Sequence, residues 1–218
     1  MSTATLVIGE SGSGKTTSLR NFDAADAFLI QSIRKPLPFK KAGWAMRSKD
    51  NLTGNIVVSD NADQIISYMT KTRRKVIILD DWQYTMANEF MRRSQETGFQ
   101  KFSDIGRAAW DILNAAVALP EDVRVYVLCH SVSDDLGKTR CKTIGKLLDD
   151  KITVEGMFTL VLKTVTQGGE YFFSTHNSGS DTTKTALGMF TDDLIDNDLA
   201  AFDAVLCAYY EIGQPVAA

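Results

Sequence analysis

Near the amino terminus a short apolar run, ATLVI (residues 4–8), breaks into GESGSGKTT (residues 9–17). No other stretch of this 218-residue chain limits its fold so tightly. An apolar run of this kind reads as a buried strand. The glycines after it pack poorly, but they permit backbone conformations barred to other residues, so successive N–H groups can turn inward around a hollow. Read from Gly9, the order G-E-S-G-S-G-K-T fits G-x-x-x-x-G-K-[ST], the phosphate-binding P-loop. Gly9, Glu10, Ser11, Gly12, Ser13, Gly14, Lys15, Thr16 and Thr17 are therefore the expected nucleotide-binding residues. TTSLRNF (16–22) reads as a helix whose free N–H groups and dipole would add to the cradle. Lys15 would carry a positive charge to the β and γ phosphates, and the Thr16 hydroxyl would ligate Mg²⁺. Such a loop reads phosphates and not the base, so adenine and guanine both stay open.

A P-loop calls for an apolar strand that ends in aspartate close by. KVIILDD (75–81) supplies it, with Asp80 as the second Mg²⁺ ligand. Asp81 is placed to orient or deprotonate the attacking water, and Gln31 is its rival for that task. A third strand, VRVYVLCHS (123–131), ends in polar residues. In P-loop ATPases with an added strand between the P-loop strand and the aspartate strand, a polar residue there senses the γ-phosphate. His130 is the expected sensor here and Ser131 the alternative; a neutral imidazole or a hydroxyl can hydrogen-bond both water and phosphate.

The rest of the chain alternates in the same manner. AFLIQS (27–32) and NIVVS (55–59) read as strands, 61–71 as a helix, and 83–119 as mostly helical. Residues 33–49, with two prolines and no periodicity, read as a loop. MFTLVLKTV (157–165) and EYFFSTH (170–176) read as an antiparallel hairpin turned by QGG. DNDLAAFDAVLCAYYEIG closes the chain as an amphipathic helix with an acidic start and a glycine stop. The expectation is an α/β fold over residues 1–218, one domain with a mostly parallel central sheet covered by helices on both faces.

The balance of charges limits partners. The formal net charge is −3, so contact with nucleic acid has to come from a local patch. No apolar run approaches the ~18 residues of a membrane helix. No basic segment followed by a long apolar core opens the chain, and a cytoplasmic location is expected. The three cysteines form no C-x-x-C pair and read as reduced thiols.

GESGSGKTTSLRN, VIILDDWQYTMANEFMRR, HSVSDD, KTIGKLLDDKITVEGMFTLVL and FFSTHNSGSDTTKTALGMF together resemble the phage-encoded RecA-like ATPases, which include small recombinases and single-strand annealing proteins. The resemblance covers about residues 3 to 195. It implies a RecA-type core, Mg²⁺-dependent ATP hydrolysis, assembly into rings or filaments, and action on single-stranded DNA in phage recombination or replication, in the host cytoplasm. In such assemblies a basic residue of one subunit reaches the ATP of its neighbour. Lys184 matches it best by position, with Arg140 or Lys142 as second choice. RecA proteins also place a catalytic glutamate after the second strand, and FLIQSIRKP holds no acid. That departure shifts the work to Asp81, or leaves ATP bound as a switch.

Two basic stretches are the expected DNA contacts. Arg34, Lys35, Lys40, Lys41, Arg47 and Lys49 are interleaved with Phe39 and Trp44, where cations would track phosphates and rings would stack on bases. Lys138, Arg140, Lys142 and Lys146 form the second, after the sensing strand. Two other functions fit parts of the pattern: a non-catalytic, nucleotide-dependent assembly or scaffold protein, favoured by the missing glutamate, and a small-molecule kinase. A kinase needs a lid with several arginines, and GKTRCKTIGK has one.

Overall fold

The computed structural model describes residues 1–213 except 41 and 146, with the backbone alone at 149 and 150. Its frame is a sheet in the order β3-β2-β4-β5-β1-β7-β8-β9. The strands are β1 (Thr3–Gly9), β2 (Ala27–Gln31), β3 (Ile56–Val58), β4 (Val76–Asp80), β5 (Arg124–Ser133), β6 (Thr139–Cys141), β7 (Leu160–Gln167), β8 (Glu170–Ser174) and β9 (Leu194–Asp196). From β3 through β7 all neighbours on this path run parallel; β8 and β9 continue it antiparallel. β6 folds back on the end of β5.

The central strands are near-continuous apolar runs because both of their faces are covered. Leu6 and Ile8 of β1, Ile77 and Leu79 of β4, and Val125 and Val127 of β5 point into one core. There they meet α1 (Ala62–Lys71), α2 (Gln83–Arg92) and α3 (Gln100–Val117), through Ile65, Met86 and Ile112 among others. The alternate residues Val7, Ile78, Tyr126 and Leu128 point to the other face, against Leu19 and the Leu199, Phe202 and Leu206 side of α4 (Leu199–Tyr209). The Asp203 carboxylate fastens α4 to β5: it accepts from Arg124 at 3.0 and 3.0 Å and from the Tyr126 hydroxyl at 2.5 Å.

The hairpin turn falls on Gly168 and Gly169, both at positive φ (59° and 86°), the two-residue turn whose twist suits paired strands. β6 and β9, three residues each, carry no periodic signal and are additions to the expected pattern. The segment after the P-loop departs from expectation. It is a six-residue 3-10 turn, Thr16–Asn21, and not an α-helix. The Ser18 hydroxyl donates to the Lys15 carbonyl at 2.6 Å, and the Ser18 N–H is shared between Gly14 O (2.9 Å) and Lys15 O (3.3 Å), which tightens the turn. Arg20 and Asn21 are tied to Asn197 and Asp198 at the start of α4. The glycine loop therefore has no long helix dipole behind it. Among the described residues no helix is long and apolar enough to cross a membrane.

Candidate nucleotide site

The parallel strands β1, β2, β4 and β5 bring four loops to one end of the sheet, at the strands' C-termini. β1 ends at Gly9, in register with His130 of β5, and β4 ends at Asp80, in register with Gln31 of β2. Gly9 has a steric reason to be glycine: a Cβ there would lie 1.7 Å from Thr164 Oγ1. Thr164 holds the loop from β7, with its hydroxyl 2.6 Å from Ser13 Oγ and 3.3 Å from the Ile8 carbonyl it donates to. Gly12 and Gly14 take positive φ (77° and 93°), turning the loop around a cleft of about 210 Å³. Lys35, Pro36, Pro38, Asp81 and His130 form the rest of its lining.

Lys15 folds back and donates to the carbonyls of Gly9 (2.9 Å) and Glu10 (2.7 Å). Burial lowers its pKa from the ordinary lysine value. The Thr16 hydroxyl donates to Asp80 at 3.0 and 3.2 Å across 64 positions of sequence. Asp80 is fully buried, and burial first, then the charge of Asp81, push its pKa up to about 6.

Asp81 leaves the strand with φ 62°, a left-handed conformation that aspartate tolerates better than most residues. Its carboxylate pairs with the Lys35 ammonium and lies 3.5 Å from His130 Nε2. Burial works to raise its pKa, but the bonds to His130 and Lys35 prevail and hold it at about 2. His130 is fixed in turn: its backbone N–H donates to Gln83 Oε1 at 3.2 Å and its ring meets Tyr84 edge-on at 6.2 Å.

The donor set suits a magnesium nucleotide. Thr16 and Asp80 offer hard oxygen ligands, too few for a protein-only cage, as expected of an ion that completes its shell with water and phosphate. Among the described residues no group of three His, Cys, Asp or Glu side chains converges as a metal cluster. Beside Gly14 the buried Asn197 leaves both atoms of its amide without a partner, next to the Tyr171 ring.

Several expected residues lie elsewhere. Gln31 is buried at the end of β2, and its amide donates to the Lys35 carbonyl at 3.1 Å. Lys184 is exposed and outside the lining of this cleft, its backbone paired with Val161 of β7 at 2.8 and 2.9 Å. Trp44 is only 4% exposed and packs edge-on against Phe39 (6.4 Å, 72°), so it offers no free face to a base. Lys40 is exposed, while Lys41 and Lys146 lie outside the described residues. Lys138 and Lys142 are exposed and Arg140 is half-buried on or beside the β5–β6 hairpin, which extends beyond His130. Lys35, Thr164, Gln83 and Asn197 are site residues that no motif marked; the basic run around Lys35 concealed it among five other cations. No protein-family model matches the chain, and no curated protein matches it.

Proposed function

We propose that the protein binds and hydrolyses ATP with Mg²⁺, as a RecA-like P-loop ATPase acting on single-stranded DNA. One observation carries the reading: the Thr16 hydroxyl and the buried Asp80 carboxylate meet at 3.0 Å beside a glycine cradle. Strand order supports it, because β5 lies between the P-loop strand β1 and the aspartate strand β4.

In this reading the amides of Gly12 to Thr17 and the Lys15 ammonium, released from its two carbonyls, bind the phosphates. Thr16 and Asp80 hold Mg²⁺, which when bound neutralises charge on the β and γ phosphates. Asp81, with its pKa held at about 2, stays ionised at neutral pH and is a weak proton acceptor. It suits orienting a water by accepting its hydrogen bond, with His130 beside it to contact water or the terminal phosphate. Lys184 supplies the cation that a neighbouring subunit inserts, in a ring or filament. The β5–β6 hairpin with Lys138, Arg140 and Lys142 is the surface for DNA.

Phosphate release, measured with and without single-stranded DNA for the parent and Lys15→Ala, tests this. DNA-stimulated release that vanishes in the variant is the expected result. Turnover in Lys15→Ala equal to the parent would defeat it. A second reading, a non-catalytic nucleotide switch, is favoured by the occupation of Asp81 by Lys35 and predicts tight binding without turnover.

A further inference from the structure

Lys35 stands in a position that the nucleotide reading does not explain. Its ammonium pairs with Asp81 and lies 3.6 Å from Asp80, and its side chain is 36% exposed where theirs are 5% and 0%. Its backbone is held by the Gln31 amide, and the following Leu37 and Phe39 pack against the core that contains Trp44. The loop is thus anchored on both sides of a side chain whose charged end faces the cleft.

Two adjacent buried carboxylates need a counter-charge, and Lys35 supplies it. A divalent ion on Asp80 and Thr16 would do the same with twice the charge. An ammonium and a divalent cation held side by side against one carboxylate repel, so the arrival of the metal weakens the hold on Lys35. The uncompensated anion then nearest the cleft is the terminal phosphate of a triphosphate, a group that a diphosphate lacks. We infer that Lys35 is a second phosphate-binding lysine, parked on Asp80 and Asp81 and handed to the terminal phosphate when the metal-bound triphosphate enters. This rests on the nucleotide-binding reading above. It makes Lys35 the residue by which the site distinguishes triphosphate from diphosphate.

The test is a set of binding titrations with a non-hydrolysable adenosine triphosphate analogue and with adenosine diphosphate, in Mg²⁺ and again in EDTA. In Mg²⁺, Lys35→Met should weaken the triphosphate by about tenfold or more and leave the diphosphate within about twofold of the parent. Lys35→Arg, which keeps the charge, should restore most of the preference. Lys15→Met should weaken both ligands. In EDTA the Lys35→Met effect on the ratio should disappear, because without metal the ammonium stays on the carboxylates. An unchanged ratio for Lys35→Met in Mg²⁺, or an equal loss with and without metal, overturns the inference while leaving the nucleotide reading intact. A parent that binds neither ligand overturns both. If Lys35→Met does not melt cooperatively, Lys35→Gln takes its place in the same titrations.

Discussion

Thr16 and Asp80, 64 positions apart, share a hydrogen bond of 3.0 Å that closes the base of the cleft. The bond exists because β4 and β1 are both parallel neighbours of β5 and finish at the same end of the sheet. Burial and Asp81 raise the Asp80 pKa to about 6, so its charge is a cost to the fold. A carboxyl with a raised folded-state pKa contributes most stability below its unfolded value of 3.8, and that contribution is lost as pH rises through about 6. At pH 7, Asp80→Asn should therefore raise stability. The gain should fade towards pH 4 in melts of parent and variant, while Mg²⁺-dependent nucleotide binding falls at pH 7.

Gly9 and Thr164 make a steric pair. Gly9→Ala drives a methyl group into Thr164 Oγ1 and against Ser13 Oγ, 2.7 Å from the added Cβ. The expected loss is about 1–3 kcal/mol, together with nucleotide binding. Adding Thr164→Ala removes the colliding hydroxyl and should recover part of the melting temperature. A double variant no more stable than Gly9→Ala would show that the clash lies elsewhere.

Asp203 should matter for stability and not for the cleft. Asp203→Ala leaves the Arg124 guanidinium and the buried Tyr126 hydroxyl without their acceptor. Denaturant melts should show a loss of about 2–4 kcal/mol. Nucleotide affinity of the folded protein should stay at the parent value.

Trp44 and the β5–β6 hairpin should separate under DNA binding. Trp44→Ala removes a buried ring and should cost about 3–5 kcal/mol, with single-stranded DNA affinity per folded molecule unchanged. The pair Lys138→Glu and Lys142→Glu, both exposed, should leave stability alone and reduce DNA affinity and its salt dependence. Fluorescence anisotropy at several salt concentrations reads the difference.

Asp181 should give an acid limb to the stability curve. Burial alone would raise its pKa, but Lys163 at 2.5 Å, Ser178 and the Thr183 N–H outweigh it and hold the value at about 2. A depressed folded-state pKa contributes stability above the unfolded 3.8, lost as pH falls from there through about 2. The melting-temperature gap between the parent and Asp181→Asn should be constant near neutrality and shrink across that window.

Much of the site was written in short range. The glycine spacing, the apolar run ending in Asp80 and the Gly168–Gly169 turn follow from backbone freedom and strand periodicity, which a chain carries locally. The same local reading overstated the segment after Lys15 as an α-helix, because Ser18 bonding back to Lys15 and the ties of Arg20 and Asn21 to α4 are not periodic signals. Local sequence was enough to place the glycine loop, its lysine and its threonines, and to show strands and helices alternating around them. Packing in three dimensions sets Lys35 against two carboxylates and seals Trp44 in the core. It also decided that Thr164 abuts Gly9. The reason is physical: a charge or a ring is a property of one residue, but its partner depends on which strands lie side by side, and that is settled by burying both faces of the sheet at once.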